Sequence, residues 1–253
     1  MIHSILIIGQ SNMAGRGFIN EAEPLDNLGG RLKVMRNGRW QKMYRPVNPD
    51  RFFSGTCLVE SFAKAYAEDH PDVEVGVIPC ADGGTSLDQW QENGLLFDNA
   101  VNCARLAQRT SNIVAVLWHQ GESDCGENNY PHYYDKLTKI MAALRREIGA
   151  RDVPLIVGGL GDFLVKREDG DFFRTYVHIN AALEKYAQEN EHTAFASAVG
   201  LESNPDNLHF NARALDEFGK RYYTAFRKIE DKSKIYPEKS AMDSAIRSRL
   251  ELL

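Results

Sequence analysis

Nowhere in the 253 residues does an apolar run approach the length of about 18 that a membrane-spanning helix needs. The first residues, Met1-Ile2-His3-Ser4-Ile5, also lack the basic start and apolar stretch of a secretory leader. A cytoplasmic chain with no membrane partner is therefore the expectation. Cysteine is scarce: Cys57, Cys80, Cys103 and Cys125 stand far apart with no Cys-x-x-Cys pair. That argues against a zinc site or a dense disulfide framework and leaves reduced, mostly buried thiols. Positive charge is not in excess either. With a net charge of -5 the chain offers no electrostatic case for nucleic acid or an anionic membrane as main partner. Internal repeats and low-complexity segments are missing too, which removes solenoids and linker-like chains.

What is present fits one α/β domain with a tail. Hydrophobic residues make up 43% of the chain and charged residues 26%, enough apolar content for a sizeable core. Short runs rich in Ile and Val recur at 3–9, 73–80, 112–120, 154–160 and 193–200. They lack the alternation of a half-exposed sheet and read as strands buried on both faces. Helical periodicity fills the intervals at about 56–69, 97–110, 130–149, 173–190 and 211–228. Strands alternating with helices imply a doubly wound parallel sheet in a three-layer sandwich, with right-handed crossovers. Residues 18–55 break the rhythm and read as a long loop over the sheet edge, with a small β element around Arg31-Leu32-Lys33-Val34-Met35. The domain is expected over 1–229, and 230–253 as a charged linker and amphipathic helix that could pack on the domain or on another subunit of a homo-oligomer.

In an open parallel sheet, ligands bind beyond the carboxyl ends of the strands, so the segments after each strand are the place to look for chemistry. They read Gly9-Gln10-Ser11-Asn12-Met13-Ala14-Gly15, then Asp82-Gly83-Gly84-Thr85-Ser86, then His119-Gln120-Gly121-Glu122-Ser123-Asp124, and finally Asp206-Asn207-Leu208-His209. A serine hydroxyl needs a base within hydrogen-bond reach, and the base needs an orienting partner. Ser11 stands at a strand end where Gly9 and Gly15 permit a tight bend; a helix cap is its ordinary alternative. His209 opens the last helix, and Asp206, three residues earlier, can reach one ring nitrogen and leave the other for Ser11. Glu122 is the second candidate for that orienting role, and Asp124 reads as a loop-stabilising acid. An oxyanion needs donors, which backbone N–H groups of Gly83-Gly84, the N–H of Ser11 and the amide of Gln120 could supply.

The ordered motifs at 9–15, 83–90 (Gly83-Gly84-Thr85-Ser86-Leu87 with Trp90), 118–124 and 206–211 resemble the SGNH-type hydrolases, within them the carbohydrate esterases that include sialate O-acetylesterases and acetyl xylan esterases. The resemblance spans residues 5 to about 228. It implies a flavodoxin-like sandwich that removes acetyl groups from sugars, sialic acid or xylan-type, by a serine mechanism with no metal or other cofactor. By motif, Ser11 is the nucleophile, His209 the base and Asp206 its acidic partner, while some members are thought to use the glutamate matching Glu122. The oxyanion would rest on the N–H groups of Ser11 and Gly84 and on Gln120, although the wider superfamily has asparagine in that block. On the alcohol side, Arg16, Trp90 and Trp118, with Tyr44 and Arg45, are the expected lining of an acetylated carbohydrate.

Other readings remain at this stage. A lipase-like or thioesterase-like SGNH activity needs an apolar channel near Ser11, whereas residues 12–55 are mostly polar. A phosphate-binding loop at Gly9–Gly17 fails the Walker spacing, and Gly-x-Gly-x-x-Gly is absent. A non-catalytic carbohydrate-binding protein is hard to square with Ser11, Asp206 and His209 all in place.

Overall fold

The Ile- and Val-rich segments form the centre of a seven-stranded sheet in a computed structural model that describes residues 1–230. The tail expected beyond the domain lies, but for Glu230, outside the described residues. In chain order the strands are β1 (Ile2–Gly9), β2 (Leu32–Arg36), β3 (Arg39–Lys42), β4 (Glu74–Pro79), β5 (Ser111–His119), β6 (Leu155–Gly158) and β7 (Thr193–Ala196). They lie side by side as β3-β2-β4-β1-β5-β6-β7. All neighbours are parallel except β2 and β3. Without the β2–β3 hairpin, the remaining strands run second, first, third, fourth, fifth, the flavodoxin-like order. Ile5, Leu6, Ile7 and Ile8 are all buried, so β1 presents apolar side chains to both faces of the sheet, as its lack of alternation requires.

Helices cover both faces. α1 (Ser11–Ala14) is a single turn after β1; it is followed by α2 (Val59–Asp69), α3 (Leu95–Ala107), α4 (Tyr133–Glu147), α5 (Gly170–Phe173), α6 (Tyr176–Glu189) and α7 (Ala212–Ile229). α7 packs beside α2 on one face, while α4 packs between α3 and α6 on the other. In α7, Leu215, Phe218, Tyr222 and Phe226 recur at helical spacing and are all buried. Each such ring removed from water stabilises the fold by roughly 1.5–3 kcal/mol. Asn211 caps the helix by accepting from the N–H of Ala214 at 2.8 Å.

The helix expected at about 173–190 is α6, and a break at Arg174 and Thr175 separates it from the single turn α5, which was not expected. The break places Phe172 and Phe173 at the sheet's carboxyl edge. The small β element expected around residues 31–35 is β2, which adds in parallel to β4; β3, which folds back on it through Asn37-Gly38, both at positive φ, was not expected. No helix among the described residues is long and apolar enough to cross a membrane.

Candidate active site

The switch point of the sheet lies between β1 and β5, where the chain order reverses, and both strands end there on unusual backbone. Gly9 has a φ of 127°, and a Cβ on it would come within 2.1 Å of the His119 carbonyl oxygen. Only glycine lets β1 end this close to β5. The chain then turns into α1, which carries Ser11 at its first position, 6% exposed. The amides flanking Ser11 are structural clamps. Gln10 Oε1 accepts from the N–H groups of Gly121 and Ser123, both at 3.3 Å. Asn12 donates to the Leu208 carbonyl at 3.1 Å and accepts from the N–H of Phe210 at 3.0 Å. Ser11 is thereby fixed relative to the loop after β5 on one side and the loop before α7 on the other.

His209 Nε2 lies 3.1 Å from Ser11 Oγ, and His209 Nδ1 lies 2.6 Å from Asp206 Oδ2. Asp206 Oδ1 accepts from the N–H groups of Leu208 at 2.9 Å and His209 at 3.0 Å, an Asx turn that aims the carboxylate at the ring. Burial opposes ionisation of Asp206, but the hydrogen bonds from the His209 ring and these two backbone donors outweigh it. The result is a pKa brought down to about 2. An ionised carboxylate only accepts, so it engages Nδ1–H and leaves Nε2 facing the serine hydroxyl.

Glu122 takes no part in that pairing, since both ring nitrogens are already engaged. Its Oε1 accepts from Asn12 Nδ2 at 2.5 Å and lies 3.2 Å from His119 Nε2, while Oε2 is buried without a hydrogen-bond partner. Burial raises its pKa, yet the charge and hydrogen bond of His119 and the bond from Asn12 bring it below the ordinary value. Glu122 therefore holds Asn12, and through it the backbone on both sides of His209.

The loop after β4 passes the mouth of the cleft. Gly83 N–H donates to Asp50 Oδ2 at 2.8 Å, and Arg51 donates to the Gly83 carbonyl at 2.9 Å and to Asp82 Oδ1 at 2.6 Å. Asn48 exchanges two bonds with the backbone of Ala81, at 2.9 and 3.0 Å. Residues 48–51 thus clamp this loop, a role the sequence analysis did not foresee. Gly84, at φ 75°, and Ser11 have N–H groups that make no hydrogen bond among the described residues.

Five expected lining or donor residues point elsewhere. Gln120 is fully buried, and its Nε2 donates to Asp124 Oδ2 at 2.5 Å and to the Thr85 carbonyl at 3.1 Å. Both amide protons are thus engaged away from the cleft. Asp124 is the loop-stabilising acid expected of it, also accepting from the N–H of Leu87 at 2.9 Å. Burial pushes its carboxyl above the usual range despite these donors. Trp90 and Trp118 are core residues packed edge to face at 5.5 Å, their indole N–H groups donating to Thr85 Oγ1 and Tyr133 Oη. Fully enclosed, they cannot touch a substrate. Arg45 pairs with Glu60 at 2.8 Å, and Tyr44 lies under Arg36; neither lines the cleft. Arg16 does line it, held bidentately by Asp50 at 2.9 and 2.7 Å.

The cleft above Ser11 holds about 490 Å³ and is also bounded by Gln10, Phe53, Ser123, Phe172, Phe173 and Leu208. Phe53, Phe172 and Phe173 carried no periodic or motif signal in the sequence. They reach the cleft only because the 43–55 segment and α5 fold over the sheet edge.

The strand order, with these four blocks at the carboxyl edge of the strands, is the flavodoxin-like sandwich of the SGNH-type hydrolase fold. A family model described as carbohydrate esterase, sialic acid-specific acetylesterase, matches residues 2–228, and the chain belongs to that family. It is accordingly a carboxylic ester hydrolase of the carbohydrate acetylesterase group. A protein of Arabidopsis thaliana named as a probable carbohydrate esterase is 24% identical over 240 residues, covering 85% of this chain and 86% of its own. The solved structure of an Arabidopsis thaliana protein superposes with a TM-score of 0.79 at 22% identity, covering 90% of this chain and 99% of the other. The structure of NanS gives 0.70 at 17% identity, covering 90% and 97%. At these identities the structural likeness speaks for the fold.

Proposed function

We propose that the chain removes O-acetyl groups from carbohydrate hydroxyls through an acetyl-serine intermediate. Ser11 is the nucleophile, His209 the general base and acid, and Asp206 the carboxylate that orients the ring. The observation that carries this reading is the unbroken line of contacts from Asp206 through His209 to Ser11, at 2.6 and 3.1 Å, beneath an open cleft. His209 Nε2 takes the hydroxyl proton as Oγ bonds to the acetyl carbonyl carbon, and the carbonyl electron pair moves onto oxygen. That oxyanion meets the N–H groups of Ser11 and Gly84, donors that cost no reorganisation when charge develops. The pair returns as the bond to the sugar oxygen breaks, and the imidazolium gives that oxygen its proton. Water, deprotonated by the same ring, then attacks the acetyl-serine and releases acetate.

An acetyl group fills little of a cleft of about 490 Å³, so most of the space serves the alcohol. The walls supplied by Phe53, Phe172 and Phe173 are more apolar than the sequence of 12–55 led us to expect, which favours a second reading, a lipase-like ester hydrolase. Acetate release from O-acetylated sugars, measured with the wild type, Ser11→Ala and His209→Ala, tests the first. Both variants should lose roughly ten-thousandfold or more in turnover, because such residues act as a unit. Faster hydrolysis of an octanoyl than an acetyl nitrophenyl ester would move the assignment to the second reading.

A further inference from the structure

The two N–H groups that would meet the oxyanion are held by different means. Ser11 lies in α1, where the N–H groups of Met13, Ala14 and Gly15 bond back to the Gln10 and Ser11 carbonyls and fix the backbone. The Gly84 N–H belongs instead to the peptide unit between two glycines, with Gly84 at a φ of 75°. Glycine on both sides lets such a unit turn over at little cost. Packing does not hold it, since a Cβ placed on Gly84 would meet nothing within 4 Å. The neighbouring backbone is anchored: Asp82 N–H donates to the Gly9 carbonyl at 3.0 Å, Gly83 N–H donates to Asp50 Oδ2 at 2.8 Å, and the Asp82 carbonyl accepts from Thr85 Oγ1 at 2.7 Å. On the Gly83–Gly84 unit itself, the one hydrogen bond among the described residues is from Arg51 Nη2 to the Gly83 carbonyl, at 2.9 Å. Arg51 is itself placed by its other nitrogen, Nη1, which donates to Asp82 Oδ1 at 2.6 Å and to the Asp50 carbonyl at 2.8 Å.

We propose that Arg51 is a positioning residue of the oxyanion site: by holding the Gly83 carbonyl it keeps the Gly84 N–H turned toward the place where charge develops. In a planar trans peptide the C=O and the N–H point in opposite directions, so fixing one aims the other. A cation on the carbonyl also polarises the unit and strengthens its N–H as a donor. The planar fork of arginine spans the carbonyl and the Asp82 carboxylate together, which the single ammonium of lysine does less well. The proposal rests on the acetyl-serine reading and deepens it by assigning what orients one of its donors. Arg51 also borders the cleft, so direct contact with the sugar is the competing role.

Two esters that share the acetyl group and differ in the alcohol separate these roles: 4-nitrophenyl acetate and an O-acetylated sugar that the wild type deacetylates. Arg51→Ala should lower kcat roughly tenfold to a hundredfold on both, by a similar factor and at near-constant KM, somewhat less than the loss of a donor itself costs. Arg51→Lys, which can keep the carbonyl bond, should recover part of the loss. Methylboronic acid gives a readout apart from turnover, since boron takes up Ser11 Oγ, whose proton passes to His209, and forms an anionic tetrahedral adduct. Its affinity should fall in Arg51→Ala by about the factor lost in kcat. The melting temperature should stay essentially unchanged, because the side chain is 41% exposed and a pair so placed contributes little to stability. Unchanged kcat, a loss confined to the sugar ester or carried by KM, or undiminished affinity for the boronic acid overturns the proposal while the acetyl-serine reading stands. If the wild type hydrolyses no acetyl ester, that reading falls and the proposal with it.

Discussion

His209 can accept the Ser11 proton only while its own proton sits on Nδ1, and the carboxylate of Asp206 at 2.6 Å keeps it there. Replacing that carboxylate by an amide leaves a side chain that can donate as well as accept, so the ring can settle in the unproductive tautomer. Asp206→Asn should therefore lower kcat by roughly a thousandfold to ten-thousandfold with the fold retained by circular dichroism. Glu122→Gln should cost far less, since Glu122 reaches His209 only through Asn12 and the backbone. The reverse order of effects would make Glu122 the partner. The sequence carried the Asp206–His209 spacing because a carboxylate three residues before a histidine in a turn is a local feature. Where Gln120 points was not legible, since its orientation depends on Asp124 and the Thr85 carbonyl, groups brought together by tertiary folding.

β1 and α7 are far apart in sequence, and one side chain on α1 helps tie their working ends together. Asn12 donates to Glu122 and Leu208 and accepts from Phe210, so three elements meet at one carboxamide. Asn12→Ala would leave the buried Glu122 carboxylate and the Phe210 N–H without their partner. A stability loss of about 1–3 kcal/mol in urea unfolding is expected. Turnover should fall on the order of a hundredfold at near-constant KM, because a displacement of about 1 Å at His209 is enough to spoil the attack geometry. Unchanged turnover would mean that the loop before α7 holds its position without this clamp. The parallel strands were legible from their apolar runs. The β2–β3 hairpin was not read fully, although Asn37-Gly38 between two short runs is a hairpin turn signal with a clear physical basis in its positive φ angles. The Gly- and Pro-rich surroundings masked it. The single turn α5 was missed because four residues are too few to show a helical period.

At the scale of the molecule, a flavodoxin-like strand order puts the ends of β1, β4 and β5 and the start of α7 on one edge. This is why blocks about 200 residues apart in the chain meet within hydrogen-bond distance. That convergence followed from the alternation of strands and helices alone. The cleft wall did not: Trp90 and Trp118 sit beside the right loops in sequence but turn into the core, while Phe53 and Phe172 come from segments with no pattern. Core residues announce themselves by period, whereas residues that line a cleft from folded-over loops have none. The most direct test of the central claim is rapid quenching of the protein during hydrolysis of an acetyl nitrophenyl ester, followed by peptide mass spectrometry. An acetyl group on the peptide containing Ser11, absent in Ser11→Ala, is the expected result. Wild-type acetate release by Ser11→Ala, or an acetyl group carried at another residue, would contradict it.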